Sequence, residues 1–234
     1  MNPQTELADM VSHLRRLVVV DESLGFEPPT LSPSTLSYLA RKHPRMASLE
    51  ALRDYIGECT RCKLCKGRKR LVFGEGSGHA RLVFVGEAPG REEDVEGRPF
   101  VGEAGKLLTK IIENGMGIGR KDVYICNVIK CRPPNNRDPE KDEIETCLPF
   151  LEEQMRMINP EVICALGRIA ARELSGRDFQ MRKERGQWFS YLGIPVMPTF
   201  HPAYLLRNPS AKRQVWEDAK KIMKQLGLEV KKNG

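Results

Sequence analysis

Four cysteines are the residues most able to do chemistry together. Cys59 and Cys62 form a C-x2-C pair, and Cys131 and Cys147 form a wider pair with fifteen residues between them. A tight pair on a turn chelates one metal ion or two corners of a cluster. A closed zinc ribbon usually carries two tight knuckles, so the wide second pair favours a bulkier, cubane-like cluster. Packing is the competing explanation: Cys147 falls on the apolar stripe of a helical segment and Cys131 at a strand end. Cys126 and Cys164 have the better claim to a packing role, because they lie inside apolar runs where free cysteine behaves as a small hydrophobe. Cys65 is the competitor for a ligand position.

A second group follows the apolar run Leu82–Val85. The chain continues Gly86-Glu87-Ala88-Pro89-Gly90-Arg91-Glu92-Glu93-Asp94, then Gly97-Arg98-Pro99-Phe100-Val101-Gly102. Ligands bind beyond the carboxyl ends of strands in open α/β sheets, so this loop is well placed for a site. Its glycines permit close backbone approach. Four carboxylates within eight residues repel one another unless some are shielded or used. Phe100 offers a face on which a planar base stacks. Two further apolar runs end in polar groups: Asn127 supplies a donor and an acceptor together, as reading a pyrimidine edge requires, and His201 stands before a proline, positioned to donate to an oxygen that gains charge. Alone, Asn127 also reads as a turn cap, and a lone histidine is more often structural. Three polar groups at three strand ends form a pattern.

The elements that must position these groups are legible as apolar runs bounded by turn residues. Arg81–Gly86, Val123–Asn127, Val162–Leu166 and Val196–Phe200 predict buried strands. Between them lie helical stripes: Ala104, Leu107, Leu108, Ile111 and Ile112, then Ile144, Cys147, Leu148, Leu151 and Met155, the latter with Asp138-Pro139 as its expected N-cap and first turn. Strands alternating with helices imply an α/β domain with a mainly parallel sheet. A final helix places Val215, Ala219, Ile222, Met223 and Leu226 inward and Lys212, Arg213, Lys220, Lys221 and Lys224 on other faces, a basic surface read chiefly as solvated. Residues 1–45 predict an N-terminal helical stripe and a Pro/Ser-containing linker, residues 46–228 the main domain, and residues 229–234 a basic tail. A short amphipathic helix with Leu49, Leu52 and Ile56 on one side leads into Cys59.

The 234 residues carry a net charge of +7, which suits a polyanionic partner without proving one. No apolar run is long enough to span a membrane, and the first residues do not read as a secretion signal, so the expected location is cytoplasmic. Seven cysteines in a reducing compartment argue for metal and core roles over disulfides.

Taken together, Gly86-Glu87-Ala88-Pro89-Gly90, Gly97–Gly102, Asn127-Val128-Ile129-Lys130-Cys131-Arg132-Pro133-Pro134 and His201-Pro202-Ala203-Tyr204-Leu205-Leu206 resemble the iron–sulfur-containing family 4 of the uracil-DNA glycosylase superfamily. The resemblance runs in order from about Cys59 to Trp216. It implies a three-layer α/β/α sandwich and a [4Fe–4S] cluster on Cys59, Cys62, Cys131 and Cys147. It implies an enzyme that flips deoxyuridine out of single- or double-stranded DNA and releases uracil, leaving an abasic site for base excision repair. The pocket would comprise Glu87, Ala88, Phe100, Asn127 and His201. Phe100 stacks on the ring, Asn127 bonds the uracil edge, and His201 stabilises charge on O2, with Glu87, Asn127 and His201 catalytic. The Leu205–Arg207 turn, with Leu205 and Arg207 on DNA, would press into the duplex.

The chain departs from the best-known branch of that superfamily. It has Ala88 where that branch has a water-positioning aspartate, and Gly90 where it has the tyrosine that excludes thymine. Glu87, Glu93 and Asp94 are therefore the candidates to hold the water, Glu87 first because it is nearest the strand end. Two other readings compete. One is an iron–sulfur module that grips or covalently traps DNA without turnover, disfavoured because the loop 134–138 lacks the histidine-bearing basic insertion of the trapping relative. The other is a zinc-stabilised accessory domain of a polymerase or repair protein. The expected state is a monomer, with residues 1–45 available to a repair or replication partner.

Overall fold

The strands form because four runs are apolar on both faces. The computed structural model describes residues 46–229, so the expected N-terminal helix and linker, and all but the first residue of the basic tail, lie outside the described residues. Every residue of β2 (Leu82–Gly86), β3 (Tyr124–Asn127) and β4 (Val162–Leu166) is buried. Continuous burial of this kind requires cover on both sides of a parallel sheet. With β6 (Ile194–Thr199), these strands make the parallel centre of a six-stranded sheet ordered β1-β3-β2-β4-β6-β5. Both edges are antiparallel and very short: β1 (Glu75–Gly76) on β3, and β5 (Phe189–Tyr191) on β6.

The alternation of side chains along each strand sorts the helices into two layers. Val83, Val85, Cys126, Ile163 and Ala165 share one core with α1 (Leu49–Ile56), α4 (Lys141–Ile158) and α5 (Arg168–Ser175). Leu82, Phe84, Ile125, Val162 and Cys164 face the opposite way, against α3 (Glu103–Lys110), its continuation through Met116, and α8 (Lys212–Gln225). The result is the expected three-layer α/β/α sandwich. Three shorter helices complete the α-helices among the described residues: α2 (Arg91–Glu96), α6 (Met181–Glu184) and α7 (Pro202–Arg207).

Helix α1 starts where Ser48 accepts the Ala51 amide N–H at 3.2 Å, an ordinary N-cap. Helix α4 starts later than Asp138-Pro139 suggests, at Lys141 with Glu140 as its cap. The Asp138 carboxylate is engaged elsewhere, 2.7 Å from Arg168, while Glu143 accepts the Glu140 N–H at 2.8 Å and closes the box. The strand order changes direction around β2, which has β3 on one side and β4 on the other. That is the topological switch point at which open α/β sheets place their ligands.

Candidate active site and cysteine centre

Parallel strands end on one side, and here three of those ends carry chemistry. Gly86 pairs with Asn127 in register, and Leu166 with Thr199, so Glu87, Asn127 and His201 emerge on the same edge. They line one cavity of about 770 Å³, with Ala88 and Phe100 also in its wall. All five residues expected in the base pocket are thus brought together. Arg91, Arg132 and Arg207 line the same cavity; of these only Arg207 was anticipated. Basic residues flanking a glycine loop and a strand end were the available signal for the other two.

Asn127 is 1% exposed, and its Oδ1 has no hydrogen-bond partner among the described residues. An unpaired buried acceptor costs about 1–3 kcal/mol, so it marks a place where a ligand's donor belongs. Gly86 makes this arrangement possible: a Cβ there would stand 2.6 Å from Phe100 Cζ and press on Asn127 Oδ1. Phe100 itself takes a left-handed backbone, φ 52°, which costs energy in a non-glycine residue. Gly105 leaves room for it, because a Cβ there would overlap the Phe100 carbonyl. The Phe100 ring lies 5.5 Å from the His201 ring, tilted by 32°.

His201 accepts the Ala203 amide N–H on Nδ1 at 3.1 Å. That bond fixes the tautomer, leaving Nε2 to carry the proton. Burial, aided by the charge of Arg207, pulls the imidazole down to about 4, so it is neutral near pH 7. Glu87 is perturbed the other way. Burial first, then the negative Asp138, push its carboxyl up to about 7 against the pull of Arg168 and Arg172.

The three candidate carboxylates separate cleanly. Glu93 accepts the N–H groups of Gly90 at 3.1 Å, Val101 at 2.9 Å and Gly102 at 3.0 Å. Its acceptors are committed to clamping the Phe100 loop onto the start of α2. Gly90 is small for that reason, since a Cβ there would sit 2.6 Å from Glu93 Oε2. Asp94 is 2% exposed and accepts the Lys69 N–H at 2.8 Å. Glu87 has no hydrogen bond on its carboxyl among the described residues and faces the cavity.

One expected DNA contact is corrected. Leu205 is 1% exposed and packs with Phe200, Ala211 and Val215. Its neighbour Leu206 is 47% exposed, because one step along α7 rotates the side chain from the core to the surface. Arg207 remains exposed beside the cavity.

The four cysteines also border a common cavity. Cys59, Cys62, Cys131 and Cys147 line one small apolar cavity with Ile56, Leu71 and Phe150, and Cys65 is not in its wall. The Lys130 N–H donates to Cys147 Sγ at 3.3 Å, and Arg68 donates to Cys131 Sγ at 3.5 Å and to the Cys59 carbonyl at 2.6 Å. Burial pushes the Cys131 thiol up to about 11 and Cys147 to about 12. Among the described residues no group of three or more His, Cys, Asp or Glu stands ready to hold a metal ion as placed. No helix among them is long and apolar enough to cross a membrane.

The sequence matches the family model of the uracil DNA glycosylase superfamily over residues 73–220. It is 44% identical over 189 residues to a type-4 uracil-DNA glycosylase of Saccharolobus solfataricus, covering 77% of this chain and 88% of that protein. A type-4 uracil-DNA glycosylase of Sulfurisphaera tokodaii is 48% identical over 185 residues, 76% of this chain and 84% of that one. Another, of Thermotoga maritima, is 49% identical over 183 residues, 76% and 95% of the two chains. Fold, site and these similarities agree: the chain belongs to the uracil-DNA glycosylase superfamily, within its type-4 branch.

Proposed function

We propose that this chain hydrolyses the N-glycosidic bond of deoxyuridine flipped out of DNA, releasing uracil and leaving an abasic site for base excision repair. The observation that carries the chemical detail is the buried, unpartnered Asn127 Oδ1 in the cavity wall. Uracil N3–H satisfies that acceptor. Cytosine presents an unprotonated N3 there and an exocyclic amine beside it, so it leaves polar groups unpaired.

The remaining roles belong to the same proposal. A base inside a duplex must be extruded before its glycosidic bond is reached, at a cost of a few kcal/mol. The Phe100 face stacks on the extruded ring. As the bond breaks, negative charge gathers on uracil O2 and positive charge on the sugar. The neutral His201 donates from Nε2 to O2, an interaction worth roughly 3 kcal/mol in a dry pocket. Glu87, as the carboxylate, orients the water that attacks the sugar and balances its charge. Arg91, Arg132 and Arg207 contact phosphates, and Leu206 fills the space left by the base.

Cys59, Cys62, Cys131 and Cys147 are proposed to hold a [4Fe–4S] cluster. Support comes from their convergence on one buried cavity and from the N–H groups aimed at two of the sulfurs. A polynuclear cluster also spreads its thiolates farther apart than a single ion does. When bound, the cluster supplies a cross-link between the segment before β1, the loop after β3 and helix α4.

An alkaline-cleavage assay on uracil oligonucleotides, with thymine and cytosine controls, tests the activity. Cleavage at uracil alone is expected; tight binding without cleavage would instead favour a DNA-trapping module. Iron content and visible absorbance of the purified protein test the cluster, and a colourless protein containing zinc would overturn it.

A further inference from the structure

Lys130 is a lysine where the fold has no use for surface charge. It is 1% exposed and ranks among the largest fully buried side chains. Its ammonium donates to the Asn127 carbonyl at 2.8 Å and to Gln154 Oε1 at 2.6 Å. Gln154, itself fully buried, is held in turn by donating to the Phe73 carbonyl at 2.9 Å and the Tyr124 hydroxyl at 3.0 Å. Among the described residues no carboxylate pairs with this ammonium. A buried cation on neutral acceptors is costly, and an apolar side chain of similar volume would fill the same space.

The direction of its bonds shows what it does. Among the described residues Asn127 Oδ1 has no partner, so that end of the amide is not tethered to any of them. Its direction depends on the backbone from which it springs. That backbone is held on one side by the Val128 N–H to Gly86 carbonyl bond at 2.9 Å, and on the other by the Lys130 ammonium. The same residue touches the cysteine centre, because its own N–H donates to Cys147 Sγ. Lys130 also lines the cavity that the four cysteines border.

We propose that Lys130 is a positioning residue for base reading: its ammonium holds the Asn127 carbonyl and thereby aims the Asn127 amide into the cavity. The inference rests on the functional reading above. It adds a physical link between the cysteine centre and the residue that tests the base.

A double-mutant cycle on the full chain tests it, using single-turnover excision from a uracil oligonucleotide, followed long enough to measure the residual activity of Asn127→Ala. Lys130→Met is expected to slow the chemical step about tenfold while leaving the oligonucleotide Kd within about twofold. In the Asn127→Ala background the same substitution is expected to change the rate by less than about twofold, because there is no amide left to aim. An equal, additive loss in both backgrounds overturns the proposal, since a general loosening of the fold adds to any other defect. Iron content and visible absorbance matching the wild type are expected for Lys130→Met. Its cluster reduction potential is expected to move to more negative values, because a positive charge has been removed from beside it. An unchanged potential would overturn the placement of that charge. If Lys130→Met does not fold, Gln154→Met removes the ammonium's other acceptor, and the same non-additivity with Asn127→Ala is required of it. A wild type without uracil excision removes the functional reading itself, whereas an active wild type with an additive cycle removes only this inference.

Discussion

Glu87 and Glu93 carry the same carboxyl group and meet opposite surroundings. Glu93 is occupied by three backbone N–H groups, and Glu87 is desolvated without a hydrogen bond among the described residues and pushed up to about 7. The sign of the resulting pH dependence is fixed. Glu87 works as a carboxylate, so activity is lost as pH falls through about 7 and the group takes up its proton. His201, pulled down to about 4, stays neutral across that window and adds no limb of its own. The expected kcat/KM profile therefore rises through neutrality. Glu87→Gln should flatten it and lower excision about tenfold or more. A wild-type profile already flat across neutrality would contradict the assignment. Gly86→Ala should also lower excision, by moving Phe100 and the Asn127 amide, and should cost about 1–3 kcal/mol in stability; urea unfolding reads the second effect. Asn127 and His201 were legible because each is a polar residue ending an apolar run. Glu87 stood first among the carboxylates in the sequence by its place at the strand end, but the clamping role of Glu93 was not legible there, because it depends on which backbone N–H groups fold onto it. The sequence reading placed Leu205 on DNA, and only the register of α7 shows that Leu205 faces the core and Leu206 the surface.

At the scale of elements, the central strands announced themselves as continuous apolar runs, and the two edge strands did not. Glu75–Gly76 and Phe189–Tyr191 are too short to establish a period, and only their pairing to β3 and β6 defines them. The loop carrying Phe100 is held in a strained form by Glu93, so Glu93→Gln should release it. Replacing a charge-assisted acceptor by a neutral amide there should cost about 1–3 kcal/mol in urea unfolding and weaken uracil excision together. The cysteine cavity joins α1 and its following turn to the β3–α4 connection. Lys63, next to Cys62, also bridges to Glu140 and Asp142 at the start of α4. Cys131→Ala should therefore lose brown colour and solubility together, and a colourless but fully active variant would refute a structural cluster. Spacing alone left Cys65 as a competitor, and the set Cys59, Cys62, Cys131 and Cys147 that borders the cavity is the one the resemblance implies. The two N–H donors to sulfur were not legible, because they depend on Arg68 and a backbone amide that no motif marks.

For the molecule as a whole, the charge of +7 and the arginines around the cavity predict binding that weakens steeply with salt. Arg207→Ala should reduce the slope of log Kd against log salt by about 1 and weaken binding similarly for all sequences; a loss confined to uracil-containing DNA would place Arg207 in base reading instead. The strand order has a further consequence, for the time at which the enzyme becomes competent. Val83 pairs with Ile163, and Gly86 with Asn127, so neighbours in the sheet are far apart in the chain. No hairpin nucleates this centre, and such long-range pairings form late and slowly. Glu87, Asn127 and His201 sit at the ends of β2, β3 and β6, with β4 between β2 and β6. Partly folded chains therefore hold fragments of the pocket but never the whole of it. Refolding should restore excision in step with the last of the sheet, so an immature chain can meet DNA without cutting a base from it.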